Sequence, residues 1–70
     1  MMPLTMLSIG DSETIKRVSG KDETRRFLAS LGFVEGEEVR VVSKMAGNII
    51  LAVKDSRIAL DQDMAKRIMV

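Results

Sequence analysis

Seventy residues carry 11 basic and 10 acidic side chains, for a net charge of +1, with no cysteine and no histidine. That composition excludes disulfides, thiolate chemistry, histidine metal ligands and a histidine acid or base. The longest apolar run, Ile49 to Val53, is far short of the roughly 20 residues a membrane helix needs.

From the N-terminus, Leu4, Leu7 and Ile9 read as an extended arm, and Gly10-Asp11 as a turn. The arm lacks a basic leader and a small-residue cleavage site, so it does not read as a signal peptide. A first strand is expected over Glu13 to Val18. Ile15 and Val18 are three apart, against a period of two, which predicts a bulge or sharp twist at Lys16-Arg17.

The spacing predicts a helix over Asp22 to Leu31. Thr24, Phe27, Leu28 and Leu31 fall on one stripe at about 100° per residue. Asp22, Arg25, Arg26, Ala29 and Ser30 fall on the other side. Asp22 is placed to cap the first amides, to favour the helix dipole and to meet Arg25 or Arg26. Gly32 fits the position just past a helix end, where the backbone turns left-handed. Phe33 would then fold back on Leu28. Gly36 reads as a turn glycine with positive φ.

Val39 and Val41, alternating with Arg40, start a second strand, and Ala46-Gly47-Asn48 forms a hairpin loop. Ile49, Leu51 and Val53 line one face of a third strand. A tight hairpin at Asp55-Ser56 leads into a fourth, Arg57 to Leu60, with Ile58 and Leu60 inward. Asp61 caps a last short helix, Gln62 to Arg67, anchored by Met64 and Ile68, and Met69-Val70 adds a strand edge. The sum is a mainly β single domain over residues 1–70. Its form is a small barrel of about five strands with one inserted helix and a short C-terminal helix. Closure hides strand edges that an open sheet of this size would expose.

No catalytic constellation is present. The serines lack a base, and Val18-Ser19-Gly20-Lys21-Asp22 lacks the first glycine and the hydroxyl of a phosphate loop. Glu35, Glu37, Glu38, Asp61 and Asp63 read as solvated charges rather than a hard-metal site, which needs several oxygens converging on one point. Six methionines show no repeated spacing and read as core filling or surface. The basic pairs Lys16-Arg17, Arg25-Arg26 and Lys66-Arg67 read as solvated faces. Near-neutral charge and two aromatics that both have structural duties argue against nucleic acid.

The series helix, Leu31-Gly32-Phe33, Gly36 turn and Val39-Arg40-Val41 strand resembles the FeoA family (ferrous iron transport protein A). The likeness extends to Leu7, Gly10, Ile15, Gly20, Asp22 and Arg26 before this centre. After it come Leu51, Val53, Ala59, Leu60, Ala65 and Ile68. Asp55 and Ile9 depart from it, standing where glycine and proline are frequent. The resemblance implies an SH3-like barrel, and with no catalytic constellation the chain is expected to be neither an enzyme nor a cofactor binder. The resemblance also implies a cytoplasmic partner of a membrane ferrous iron transporter that carries a GTP-binding domain. Two alternatives are a regulatory module like the C-terminal domain of metal-dependent repressors and a small RNA-binding barrel. No direct membrane insertion is expected.

Two surfaces are candidates for partner binding. One is the outward helix side with Arg25, Arg26 and Ala29. The other is a strand patch of Val42, Met45 and Ile50, with Ala52. If Val39, Val41, Leu51 and Val53 face the core, Val42, Ile50 and Ala52 cannot all do so. Either they form an exposed apolar patch, or a bulge or the N-terminal arm covers them.

Overall fold

The structure is a computed structural model that describes all 70 residues. Six strands and two helices follow the chain: β1 Ser12–Thr14, β2 Arg17–Val18, α1 Asp22–Ser30, β3 Glu38–Met45, β4 Asn48–Val53, β5 Ser56–Asp61, α2 Gln62–Ala65 and β6 Ile68–Met69. β1-β3-β4-β5 form one antiparallel sheet, and β2 and β6 form a second. Both close over a core of 14 buried residues, all apolar.

The single first strand expected from Glu13 to Val18 is two strands. β1 pairs with β3, and β2 pairs with β6. Between them the Ile15 N–H donates to Glu37 O (2.9 Å), the Gly36 N–H donates to Ile15 O (2.8 Å), and the Lys16 N–H donates to Met69 O (2.8 Å). The irregular spacing of Ile15 and Val18 therefore marks a change of sheet. Ile15 is buried at the crossing point.

The N-terminal arm is not simply extended. Leu4–Met6 form one 3-10 turn that buries Leu4, and Leu7 follows it into the core, while Ile9 stays exposed. Further on, the Met2 and Val70 backbones exchange two hydrogen bonds of 2.8 Å, which ties the arm to the edge of β6.

α1 ends as the glycine predicts. Gly32 has φ +106°. Its N–H donates to Ala29 O (3.0 Å), and the Phe33 N–H donates to Leu28 O (3.0 Å). These two bonds satisfy carbonyls that a helix end leaves free. Leu28 and Phe33 are both buried. The start meets expectation only in the Asp22–Arg25 pair. The capping position is Lys21, and Asp22 is the first helical residue, its carboxylate engaged by the Arg25 guanidinium instead of the free amides. Phe27 departs from the expected stripe too: it is 50% exposed, so α1 anchors mainly through Leu28.

One hairpin is tighter than expected and the other is shifted by one residue. Ala46 and Gly47 alone make the β3–β4 turn, both with positive φ (46° and 84°), the geometry whose twist matches the flanking strands. Asn48 already belongs to β4. The β4–β5 turn is Lys54–Asp55, and the left-handed residue is Lys54 (φ 52°) rather than Asp55. α2 stops at Ala65, two residues short of the expected end. Its Asp61 cap is in place, the carboxylate accepting the Met64 N–H at 2.8 Å. Ala65 and Ile68 are fully buried and Met64 only partly.

Candidate functional site

On α1, Asp22, Arg25, Arg26 and Ala29 recur at three- and four-residue intervals and so share one helix face. The tight turn after Gly32 brings Phe33, Val34 and Glu35 back beside that face. β2 delivers Val18 to its other flank. Together they line an open groove of about 600 Å³. Phe33 is buried and forms part of the floor, with Val18 half-buried beside it.

Charge is distributed unevenly around this groove. Arg25 is held by Asp22. Arg26 is exposed and makes no ion pair or side-chain hydrogen bond, so its donors remain available to a ligand. Glu35 stands among the lining residues as the second acid. An apolar floor beside a free guanidinium suits a segment that offers an apolar anchor next to a carboxylate or a row of carbonyls.

The strand patch has a different origin. Val41 pairs with Leu51 and Ser43 pairs with Ile50, which leaves Val42 as an extra residue in β3. A bulge sets two residues against one, so Val42 and Ser43 together oppose Ile50. Val42, Ile50 and Ala52 are all half-buried, and Met45 is 63% exposed. The bulge thus occurs, and it turns none of the three fully inward. The residues singled out from sequence fall into two groups. Arg25, Arg26 and Ala29 lie in the α1 groove, and Val42, Met45 and Ile50 lie on the β3–β4 sheet.

Four residues of the groove escaped sequence reasoning: Val18, Phe33, Val34 and Glu35. The available signal was the Leu31-Gly32 stop, which forces whatever follows it to double back along the helix. A second, smaller groove of about 320 Å³ is lined by Glu37, Glu38, Arg40, Ala52 and Lys54, with Lys54 paired to Glu37 at 3.6 Å. The carboxylates stay dispersed, and no three gather where a metal ion could be held.

The FeoA domain model matches residues 2–70. The chain belongs to the FeoA family. Among curated proteins, this FeoA-family chain is 29% identical over its full length to a Methanocaldococcus jannaschii protein assigned as Fe(2+) transport protein A, 85% of which is covered. Among solved structures it is similar to an iron uptake regulatory protein (FeoA), with 30% identity, TM-score 0.88, and 96% and 89% of the two chains covered. It is also similar to FeoA of Stenotrophomonas maltophilia, solved with zinc and described as a prokaryotic SH3 domain protein, with 35% identity, TM-score 0.86, and coverage of 99% and 88%. The fold is therefore an SH3-like barrel, and the family is one of ferrous iron transport. A manganese-dependent transcriptional repressor shares the fold as well, at 28% identity and TM-score 0.86, but this chain spans only 38% of that protein.

Proposed function

We propose that this chain is a cytoplasmic accessory of a membrane ferrous iron transporter with a GTP-binding domain. It binds that transporter through its surface and modulates it without catalysing a reaction. The observation that carries the reading is the α1 groove, where an unpaired Arg26 stands beside an apolar floor of Val18 and Phe33. Family membership supplies the ferrous iron context. The β3–β4 patch of Val42, Met45 and Ile50 is the second proposed contact. No helix of the chain is long and apolar enough to cross a membrane, which suits a partner that meets the transporter from one side.

Charged rims govern encounter and buried apolar contacts govern retention. Arg25→Glu with Arg26→Glu should therefore weaken transporter association about ten-fold or more at low salt and much less at high salt. Ile50→Asp should weaken it at any salt. Both variants should remain folded, because Arg25 and Arg26 are exposed and Ile50 is only half-buried. Iron uptake in a strain lacking the protein, complemented by each variant, gives the functional readout. Full uptake with folded variants of both surfaces would place the interface elsewhere. Unchanged uptake on complete deletion would remove the transporter reading itself.

The likeness to part of a metal-dependent repressor favours a second reading, a regulatory module. The two α-helices here are nine and four residues long and separated by three strands, so within these residues the chain would act as such a module and not as a DNA reader itself.

A further inference from the structure

The basic dipeptides Lys16-Arg17 and Lys66-Arg67 are 50 residues apart in sequence, and the fold sets them at the two ends of one antiparallel ladder. Arg17 pairs with Met69 and Val18 with Ile68 across the β2–β6 ladder. The Ser19 N–H donates to Arg67 O at 2.8 Å, which continues the ladder by one residue. Ile68 is fully buried and its partner Val18 packs against the core. By strand alternation, the Arg17–Met69 and Ser19–Arg67 rows face away from it. Lys16 and Lys66 are exposed just beyond the two ends of this ladder.

Its charge is poorly compensated. Only Lys66 has an acidic partner, Asp63 at 3.3 Å, and Lys16, Arg17 and Arg67 have none. Acidic residues stand at both ends of the ribbon: Gly36 and Glu37 of the acidic turn bond to Ile15 at one, and Asp63 pairs with Lys66 at the other. A chain of net charge +1 has thus gathered four cations on one small ribbon.

Apolar side chains border the same ribbon. Met2 bonds to Val70 and Pro3 bridges to Met69, which widens the two-stranded sheet. Met1 and Met2 are 71% and 42% exposed there. Neither groove of the molecule includes a ridge cation, so this is an outward ribbon with no cavity to enclose a free phosphate or nucleotide. A nucleic acid would use the cations but gain nothing from exposed methionines, and no aromatic is present on the ribbon to stack a base. Cations flanked by flexible apolar side chains match a lipid headgroup layer, with charge against phosphate and methionine in the interface.

We infer that the β2–β6 ribbon, through Lys16, Arg17, Lys66 and Arg67, docks this protein reversibly on an anionic lipid surface. This is peripheral adsorption, separate from the contact with a transporter. Val18 belongs both to the ribbon and to the α1 groove, on the side of the ladder opposite Arg17 and Arg67. An adsorbed molecule therefore keeps the groove free for a partner.

Co-sedimentation of the full chain with vesicles tests this without any transporter. Vesicles of phosphatidylcholine with about a third phosphatidylglycerol should retain the protein at low salt, and pure phosphatidylcholine vesicles should not. Each cation near such a surface contributes about five-fold in partition, so Arg17→Gln with Arg67→Gln should lower it about 25-fold. Glutamine keeps much of the Arg67 stem that crosses Gly20, and circular dichroism confirms that the variant is folded. Arg57→Gln, on β5, should leave partition nearly unchanged. The inference is overturned if wild type ignores anionic vesicles, if both vesicle types bind equally, or if the double variant binds like wild type. It is also overturned if inorganic phosphate displaces the protein beyond chloride of equal ionic strength, which would make the ridge a phosphate site. Binding of a short RNA through the same arginines without vesicle binding would assign it to nucleic acid instead.

Discussion

Gly32 concentrates the logic of this fold in one residue. At φ +106° it lies where side-chain-bearing residues are strained, and its two backbone bonds both terminate α1 and set the direction of Phe33. A Cβ built there would stand 3.5 Å from Val53 Cγ2 and 3.7 Å from the Lys54 side chain, which is ordinary contact. Gly32→Ala therefore costs backbone strain alone, about 1–2 kcal/mol. Gly32→Val adds two γ carbons toward Val53, which is buried and cannot yield freely, so its cost should exceed that of alanine by about 1 kcal/mol or more. In a domain of this size each kcal/mol moves Tm by about 4–8 °C. Alanine should then lower Tm by about 4–16 °C and valine by more. Gly10→Ala is the control for strain without neighbours, since Gly10 has φ +94° and nothing within 4 Å. Thermal melts followed by circular dichroism, with calorimetry for ΔH, give the ranking. Equal Tm for wild type and both Gly32 variants would refute the left-handed helix stop. A large loss for alanine equal to that for valine would refute the separation of strain from packing.

Two further substitutions test the helices. Leu28→Ala should cost about 2–5 kcal/mol in denaturant unfolding, because Leu28 is fully buried, while Phe27→Ser, at a half-exposed site, should cost only about 1 kcal/mol. Asp61→Ala should cost about 0.5–2 kcal/mol through loss of the bond to the Met64 N–H, and Asp61→Asn should recover most of it.

Much of the chain was legible wherever a feature is local. Gly32, Gly36 and the Asp61 cap are decided within a few residues of themselves, and each stands where the sequence placed it. The β4 alternation of Ile49, Leu51 and Val53 was equally local, and all three are buried. Phe27 misled because periodicity reports which residues share a face but not how wide a strip the partner covers. A nine-residue helix on a barrel this small buries Leu28 and leaves the flank open. The split of the first strand was visible as a broken period at Ile15 and Val18. Its meaning was not, because it depends on β3 and β6, which are distant in sequence. The groove was half legible for the same reason. The α1 face could be read from spacing, whereas Val18 and the returning Phe33-Val34-Glu35 segment meet it only in three dimensions.

No polar or charged side chain is buried in this protein, and every buried residue belongs to one apolar cluster. The core therefore holds no ionisable group, and all charge chemistry must be carried by surface shape. In the α1 groove that shape is not independent of the core. Phe33 is a core residue and also part of the groove floor, and it is oriented by the same bonds to Leu28 and Ala29 that end the helix. Val18 joins the groove to the β2–β6 ribbon in the same way. Stability and recognition are thus coupled through Gly32: a substitution that lets the helix run on would withdraw Phe33 from the floor while leaving Arg25 and Arg26 on the surface. Loss of partner binding in such a variant, at a temperature where it is still folded, would trace to the floor rather than to the charged rim. The salt dependence contributed by the two arginines should then persist in whatever binding remains.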